Sequence, residues 1–460
     1  MIIDFNDTDE YGYIPRVREI VGDSKRGVYT VTFGCQQNEA DTERLLSLCR
    51  DMGYESVESP DGADLILINT CAIREHAEMK ALSLLGRYKA LKKQRSDLLI
   101  GVCGCIPAVK QMNDRLKESF HYVDFTLEPS SLYKLPEAIY GVITKRSRAY
   151  HTGEDRGEII EGISPLRRSG FKAWLSVMYG CNNFCTYCIV PYTRGRERSR
   201  RSEDVINEAR RLINDGVKEI TLLGQNVNSY CSDMDFSNLI ERIAMIDGDY
   251  TIRFMTSHPK DVSDRLISVM GEYSPRIAPY FHLPLQSGSD RVLKRMNRTY
   301  DRYRFIEVAE RLKRSVPGIA LSTDVIVGFP GETEADFQDT LSVLDSVRFD
   351  SVYAFAYSPR VGTPASRMID MVDDKVKSDR LGRLFAFQDD ISLELNREYL
   401  GREERVLIDS VSQRPGFTAL SARTYSNKLV HVEADSALIG SFQTVLITEA
   451  DKYNLIGKLK

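Results

Sequence analysis

Short apolar runs alternate with amphipathic stretches over the first 150 residues of the chain. The runs 28–33, 64–69 and 98–102 predict strands, and the stretches 38–52 and 74–93 predict helices. Strands that alternate with helices form parallel sheets covered by helices on both faces. The N-terminal part is therefore expected to be a Rossmann or flavodoxin-like α/β domain.

The alternation stops in a polar, aperiodic stretch, which predicts a linker, and it restarts at about Phe171. Six strand–helix units follow and resemble an incomplete TIM barrel. The strands are expected at 173–178, 218–223, 251–255, 279–283, 320–327 and 350–356, and the helices at 203–215, 235–246, 261–271, 301–314 and 333–346.

The last part of the chain changes character after a helix expected over 374–399. Short alternating runs at 405–411, 429–432 and 444–448 are separated by turns, which predicts a small antiparallel β-barrel of the oligonucleotide-binding type. The expected division is an N-terminal domain at 25–143, a linker at 144–168, a central domain at 169–397 and a terminal barrel at 398–460.

Composition fits an ordinary globular protein, with 42% hydrophobic and 28% charged residues among 460. The N-terminus lacks the pattern of a signal peptide, and no apolar run is long enough to span a membrane, so we expect a cytoplasmic protein. The net charge of −4 does not by itself indicate nucleic-acid binding. Arginines nevertheless crowd into 194–201, where Arg194, Arg196 and Arg198 are candidates for phosphate contacts. A solvated helix start or internal ion pairs are the alternative.

Cys181, Cys185 and Cys188 form a C-x3-C-x2-C motif, and we call them the barrel cysteines. Three thiolates can bind three irons of a cubane 4Fe–4S cluster, which leaves the fourth iron open. A two-cluster ferredoxin motif and a second C-x2-C pair for zinc are both absent from the sequence. A structural zinc or buried thiols remain the alternative. The spacing resembles the radical S-adenosylmethionine (SAM) superfamily, in which the open iron binds SAM.

A second set, Cys35, Cys71 and Cys105, follows the first three predicted strands, and we call these the sheet cysteines. The carboxyl ends of parallel strands share one edge of a sheet, so these thiols are expected to converge there and to bind a second cluster. Coincidence of small residues beside turns is the alternative. Cys103 is a rival for Cys105, but its position one step from the strand end predicts burial.

With two three-cysteine sets, a barrel and a terminal β-barrel, nearly the whole chain resembles the methylthiotransferases, whose terminal module is called TRAM. Stretches such as Thr32-Phe33-Gly34-Cys35-Gln36-Gln37-Asn38-Glu39 and His282-Leu283-Pro284-Leu285-Gln286-Ser287-Gly288-Ser289 are similar to the MiaB type, which modifies isopentenyladenosine in tRNA. The sister types modify threonylcarbamoyladenosine in tRNA or an aspartate of a ribosomal protein.

The resemblance implies two 4Fe–4S clusters with three cysteine ligands each, SAM as methyl donor and radical source, and a methylthio group added at carbon 2 of the adenine. Strand-end residues of the central domain are candidates for cofactor contacts. These are Gly224, Gln225, Ser257, Gln286 and Asp324. His258 is either a ligand or a helix cap, and Asp324 is either a cofactor contact or a structural carboxylate.

The implied partners are prenylated tRNA, recognised in part by Arg423 and Lys428 of the terminal barrel, and an electron donor such as flavodoxin or ferredoxin. Turn polarity in a small barrel is the alternative for those two residues. We expect a monomer without membrane attachment. A non-catalytic iron–sulfur scaffold that binds RNA is the alternative from another functional class.

Overall fold

The computed structural model describes residues 2–8, 12–22, 26–72, 75–153, 157–412 and 419–460. Ile73 and Arg74, which belong to the motif after Cys71, lie outside the described residues. The N-terminal part is built on a six-stranded parallel sheet. The N-terminal part has eight described strands: β1 Ile2–Asp4, β2 Arg26–Phe33, β3 Tyr54–Ser56, β4 Leu65–Thr70, β5 Leu99–Gly104, β6 Phe125–Leu127, β7 Ala149–His151 and β8 Ile159–Glu161. Strands β2 to β7 form the sheet, and β1 and β8 form a separate parallel pair. Its helices are α1 Phe5–Thr8, α2 Tyr13–Val21, α3 Gln36–Asp51, α4 Glu75–Gln94, α5 Cys105–Ala108, α6 Lys110–Ser119 and α7 Leu135–Lys145.

The sheet has the order β3-β2-β4-β5-β6-β7, which is the flavodoxin order with one more strand at the edge. Strand β4 shows why the apolar run folds this way. Leu65 and Leu67 contribute to one hydrophobic core, and Ile66 and Ile68 contribute to the core on the opposite face. A strand buried on both faces needs apolar residues at every position, so the prediction of a parallel, helix-covered sheet is confirmed.

The predicted linker contains regular structure, which corrects the expectation for 144–168. Strand β7 adds a sixth strand to the sheet, and β8 pairs with β1. Tyr150 on β7 is covered by the Lys117 ammonium at 4.7 Å and the Arg148 guanidinium at 5.0 Å from its ring centroid. Strands of three residues give too short an alternation to recognise in a polar sequence.

The central part forms six parallel strands in chain order, each followed by a helix, as predicted. Two three-stranded sheets, β9-β12-β13 and β14-β15-β16, are joined by a bridge between Ile252 and Ile277. Among the described residues β9 and β16 do not pair, so the barrel is open on one side. Its strands are β9 Lys172–Ser176, β10 Met178–Tyr179, β11 Arg198–Ser199, β12 Glu219–Leu223, β13 Thr251–Phe254, β14 Tyr280–His282, β15 Ala320–Val327 and β16 Ser351–Ala356, where β10 and β11 form a hairpin outside the barrel. Its helices are α8 Val190–Thr193, α9 Ser202–Asn214, α10 Phe236–Ala244, α11 Asp264–Glu272, α12 Asp290–Arg295, α13 Arg302–Ser315, α14 Glu334–Val347 and α15 Asp374–Arg397.

The terminal part is a closed antiparallel barrel with one parallel pair, in the order β17-β18-β19-β21-β20. Three of its five strands were expected, and the other two were missed. The strands are β17 Glu403–Val411, β18 Leu420–Thr424, β19 Leu429–Val432, β20 Phe442–Ala450 and β21 Leu455–Leu459. Single 3-10 turns lie at Pro60–Gly62, Pro129–Lys134, Val227–Ser229, Pro259–Asp261, Pro364–Arg367 and Ser436–Leu438.

The terminal barrel docks on the amino ends of the central strands. Lys172, which begins β9, forms an ion pair with Asp409, and Arg253 donates to the carbonyl oxygens of Thr424 and Tyr425. Loops at the carboxyl ends of the central strands are thereby left for the N-terminal domain, which positions the candidate site described next.

Candidate functional site

The barrel cysteines lie on the loop between β10 and α8. Gly180 has a φ of 74°, and a Cβ atom at this position would lie 2.1 Å from the carbonyl oxygen of Arg196, so only glycine fits here. The amide of Cys181 donates to Gly195 and that of Cys188 to Cys185, at 3.2 and 2.9 Å. These contacts fold the loop into a compact turn that carries all three thiols.

Burial raises the pKa of Cys181 to about 11 and that of Cys188 to about 12, and the nearby Cys185 contributes to both shifts. The Cys181 and Cys188 thiols are therefore neutral at physiological pH when no metal is bound. Iron binds the thiolate, so assembly of a cluster on this loop would release protons. A compact loop with three soft donors, of which Cys181 and Cys185 are buried and Cys188 is half-buried, suits a 4Fe–4S cluster.

A second segment holds the cysteine loop from the side. The side-chain amide of Asn297 donates to the carbonyl oxygens of Asn183 and Phe184 at 3.1 Å each, and the amide of Thr186 donates to Met296 at 3.0 Å. Asn297 has a φ of 59°, a conformation that asparagine tolerates better than most residues. The loop is thus fixed by a segment more than one hundred residues away in sequence.

The sheet cysteines share the carboxyl edge of the N-terminal sheet, as expected. Cys35 is the residue before α3, Cys71 follows β4 directly, and Cys105 is the first residue of α5. Asn38 connects two of these strand ends, since its side-chain oxygen lies 3.4 Å from the Cys35 sulfur and its nitrogen donates to the Thr70 carbonyl at 3.1 Å. The strand ends are therefore held together by hydrogen bonds below the thiols.

Arg194 lies beside this edge and not on an RNA-accessible surface, which corrects its assignment as a phosphate contact. It is 6% exposed, and its Nη2 atom lies 2.8 Å from Oδ2 of the buried Asp41. Burial raises the pKa of Cys105, and the Arg194 guanidinium opposes that shift. The internal ion pair considered for the arginine cluster is realised at this position.

The two cysteine sets face each other across the domain interface. Ala72, next to Cys71, packs in one small hydrophobic cluster with Cys105 and with Ile189, which follows Cys188. Loops that carry thiols from two separate domains thus meet at a single place.

The first turn of α3 strengthens this interface. The side-chain nitrogen of Gln37 donates to the Ser176 hydroxyl at 2.9 Å, and that of Gln36 lies 3.7 Å from the Met255 sulfur. Ser176 ends β9 and Met255 follows β13, so the first turn of α3 contacts the carboxyl ends of the barrel strands. This is the face on which such barrels carry their active sites.

No group of three or more His, Cys, Asp or Glu side chains among the described residues is arranged around a single metal ion. In a cubane cluster each thiolate binds a different iron. The three thiols of each set need not converge on one point to hold such a cluster.

The candidate cofactor residues lie where the barrel strands end. Ser257 is 6% exposed, and its hydroxyl has no hydrogen-bond partner among the described residues, so it is free to bind a ligand. Gln286 has a φ of 68°, and such strain in a non-glycine residue is typical of functional sites. Asp324 is half-buried, with Oδ2 3.4 Å from His282 Nε2.

Two further candidates shape the cysteine loop itself. The side-chain oxygen of Gln225 accepts a hydrogen bond from the Gly180 amide at 2.5 Å. A Cβ atom on Gly224 would lie 2.5 Å from the Met178 Cγ atom, so the glycine permits close packing here. His258 caps the turn after it, because its Nδ1 accepts from the Lys260 amide at 3.2 Å. The cap is therefore favoured over the ligand role for His258.

The remaining RNA candidates have different surroundings. Arg196 is exposed and lies 4.4 Å from the centroid of the Phe184 ring, and Arg198 donates to the carbonyl of Arg194 at 3.1 Å. Arg423 donates to the Asn427 carbonyl within its own hairpin at 3.2 Å. These three stay predictions.

Lys428 faces the protein interior, which corrects its assignment to RNA. It is 8% exposed, and its Nζ lies 2.6 Å from an oxygen of Asp350 and donates to Asn396 at 2.8 Å. Its hairpin contacts the central domain, so the lysine joins the terminal barrel to that domain.

The three remaining cysteines lie outside both three-cysteine sets. Cys49 and Cys103 are fully buried in the hydrophobic core of the N-terminal domain, and Cys231 is exposed. The sequence reading missed Asp41, Asn297 and the neighbouring Arg298, whose Nη1 atom lies 3.5 Å from the Cys185 sulfur. Their residue types are common and no local motif marks them.

Comparisons with known proteins agree with this geometry. The radical SAM superfamily model matches residues 175–344, the uncharacterised protein family UPF0004 matches 27–128, and the TRAM domain matches 397–460. The structure of a radical SAM methyltransferase from Kitasatospora setae, TsrM, with cobalamin and a 4Fe–4S cluster, is similar in fold, with a TM-score of 0.55 and 14% identity over 75% of this chain and 77% of that chain. The class is thus a radical SAM enzyme, which implies a 4Fe–4S cluster and SAM.

The curated relatives define the family within this class. The tRNA-2-methylthio-N(6)-dimethylallyladenosine synthases of Thermoanaerobacter sp. (strain X514) and Acetivibrio thermocellus are each 45% identical, over 93% and 96% of this chain and 91% and 93% of theirs. That of Clostridioides difficile (strain 630) is 44% identical over 94% of this chain and 91% of its own. The chain belongs to the family of these synthases. No helix in the described part of the chain is long and apolar enough to cross a membrane.

Proposed function

We propose that this protein adds a methylthio group to carbon 2 of N6-isopentenyladenosine at position 37 of the tRNA anticodon loop. The observation that carries the proposal is the contact of Ala72 and Cys105 with Ile189, which brings the two cysteine sets together. A sulfur atom held by one domain can then reach a base activated by the other.

The barrel cysteines would hold the radical SAM cluster, and the sheet cysteines would hold the auxiliary cluster. Each set offers three soft ligands, and this number leaves one iron of a cubane open. In our proposal the cluster on the barrel cysteines would serve the binding and cleavage of SAM, and the cluster on the sheet cysteines would supply the sulfur. Two SAM molecules are used, one as methyl donor and one as radical source.

The hydrogen at carbon 2 of adenine is not acidic, so a base cannot remove it and a radical is needed. When bound and reduced, the barrel cluster supplies the electron that cleaves SAM to methionine and a 5′-deoxyadenosyl radical. The protein's residues bind and orient the cofactor and the base, and they exclude water from the site. In this proposal the unpartnered hydroxyl of Ser257 and the side chains of Gln286 and Asp324 form hydrogen bonds with SAM or with the base.

The macromolecular partner in this proposal is prenylated tRNA, bound through the TRAM barrel and through exposed arginines such as Arg196. An apolar pocket for the dimethylallyl group gains about 0.8 kcal/mol for each buried carbon. The carboxylate of a threonylcarbamoyl group would be desolvated there at a cost of several kcal/mol. The cytoplasmic location, the monomeric state and a flavodoxin or ferredoxin as electron donor stay predictions.

Reconstituted protein given SAM, a reductant and one tRNA at a time tests the function. We expect methylthiolation of prenylated tRNA by nucleoside mass spectrometry, and little or none of unmodified or threonylcarbamoyl tRNA. A comparable rate on the threonylcarbamoyl substrate would assign the protein to the sister activity. If the reduced protein never cleaves SAM, the remaining hypothesis is the non-catalytic iron–sulfur scaffold that binds RNA.

A further inference from the structure

Arg298 places its guanidinium against one of the barrel cysteines. Its Nη1 atom lies 3.5 Å from the sulfur of Cys185, within hydrogen-bond distance for a sulfur acceptor. Its Nε donates to the Tyr300 hydroxyl at 2.8 Å, and Nη2 donates to the Pro284 carbonyl at 2.9 Å. All three nitrogens of the guanidinium are therefore directed by fixed partners.

The surroundings of Arg298 are rigid on both sides. The Tyr300 hydroxyl donates to the carbonyl oxygens of Pro284 and Leu285, at 3.0 and 2.9 Å, and its ring centroid lies 4.9 Å from the guanidinium carbon. The preceding residue, Asn297, binds the backbone of the cysteine loop. The guanidinium and the Cys185 sulfur are thus parts of one hydrogen-bonded unit.

Among the residues that the structure describes, no carboxylate neutralises the charge of Arg298. Each of its three nitrogens contacts a neutral oxygen or the Cys185 sulfur, and no ion pair with Asp or Glu is found for it in the described ranges. Arg194, beside the sheet cysteines, differs because Asp41 neutralises it at 2.8 Å. A partly buried cation without a counterion is costly. A cluster bound to thiolates would supply the missing negative charge.

We propose that Arg298 is a positioning residue that raises the reduction potential of the cluster on the barrel cysteines. This inference rests on the ligation proposed above. Reduction adds one electron from an external reductant to the cluster, and the guanidinium stays protonated throughout. A cation and a hydrogen bond at the Cys185 sulfur favour the more negative, reduced state, since hydrogen bonds to sulfur and local charge set such potentials.

The test is a potentiometric titration of the reconstituted full-length chain, with dithionite as reductant and electron paramagnetic resonance of the reduced cluster as readout. All variants carry alanine in place of the sheet cysteines, so that only one cluster contributes. In Arg298→Met we expect at least a tenfold smaller ratio of reduced to oxidised cluster at a fixed potential. For one electron this equals a midpoint about 59 mV lower.

Three further variants separate charge from hydrogen bonding. Arg298→Lys keeps the charge and should lower the midpoint less than Arg298→Gln, which keeps a donor but not the charge. Arg302→Met is the matched control, because Arg302 pairs with Asp339 at 2.8 Å and has no contact with a cysteine in the described part of the chain. It should titrate like the parent.

The outcomes distinguish this inference from the proposed function. A parent protein that assembles no cluster, by iron content and absorbance, would contradict the ligation itself. An assembled cluster whose midpoint is the same in the parent and in Arg298→Gln and Arg298→Met would overturn the role of Arg298. If Arg298→Met fails to assemble a cluster, the midpoints of Arg298→Lys and Arg298→Gln decide: a lower midpoint in Arg298→Gln supports the role of Arg298, and equal midpoints overturn it.

Discussion

The ion pair between Arg194 and Asp41 joins the end of α8 in the central domain to α3 in the N-terminal domain, and its loss should be strongly destabilising. The two atoms lie 2.8 Å apart, and both side chains are only 5% exposed, so water screens the pair little. Arg194→Met leaves the Asp41 carboxylate buried without a cation, with the neutral Gln37 amide still donating to its Oδ1 atom at 3.2 Å. Breaking a buried pair in this way costs about 3–5 kcal/mol.

The same interface offers a matched control. Arg168 contacts Glu39, also on α3, but at 3.4 Å and with the two side chains 43% and 36% exposed. Exposed pairs of this kind contribute at most about 1 kcal/mol. Arg168→Met therefore removes an arginine from the same interface at a much smaller cost.

Urea unfolding of the apoprotein, followed by tryptophan fluorescence, measures the difference. The chain has one tryptophan, Trp174, which lies on β9 beside the interface and whose carbonyl accepts from Arg167. We expect Arg194→Met to lose about 3–5 kcal/mol and the double variant Arg194→Met/Asp41→Leu to recover most of it, because both charges are then gone. Equal losses in Arg194→Met and Arg168→Met would refute the reasoning.

Three further predictions concern single residues. Burial, and to a smaller extent the charges of Arg298 and Lys260, lowers the pKa of His258 to about 2. The neutral imidazole therefore stabilises the fold above pH 6.5, and this stabilisation is lost as the pH falls from 6.5 toward 2. His258→Gln should flatten this dependence by up to about 2 kcal/mol between pH 7 and 5 in urea titrations. Lys428→Met should lower the free energy of unfolding by roughly 3–5 kcal/mol without changing the salt dependence of tRNA binding. A smaller salt dependence with unchanged stability would instead support a contact between Lys428 and an RNA phosphate. Cys103→Ala should keep the iron content of the parent while Cys105→Ala lowers it, and the reverse result in iron assays would exchange their roles.

Elements with a clear apolar pattern could be predicted from the sequence, including the four-residue strand β19, and weakly patterned ones could not. Strand β15 lies at its predicted bounds, 320–327, because a run rich in Val, Ile and Thr between Gly318 and Gly328 is typical of a strand. Strands β18 and β21, with the sequences LSART and LIGKL, were missed because each gives only five residues of weak alternation. Helix α2 was missed as well, since it buries only Val17 and Val21.

The candidate site shows the same limit. The cysteines could be recognised because thiols are rare and the barrel set is local in sequence. Arg298 contacts a residue 113 positions away, and Arg194 contacts one 153 positions away. The chain has 62 lysines and arginines, so their presence near a motif carries little information about which of them is buried. Arg298 meets Cys185 through the fold of the central domain, and Arg194 meets Asp41 where two domains pack. Local sequence pattern encodes neither contact.

The separation of the two cysteine sets tests the central claim most directly. Full-length protein with alanine in place of the sheet cysteines is reconstituted and given SAM, a reductant and prenylated tRNA, and 5′-deoxyadenosine and methylthiolated nucleoside are measured in one reaction. We predict that 5′-deoxyadenosine still forms and that methylthiolation is lost, while alanine in place of the barrel cysteines abolishes both. Methylthiolated nucleoside from the first variant, or loss of its SAM cleavage with the barrel cluster intact by iron content and electron paramagnetic resonance, would contradict the account.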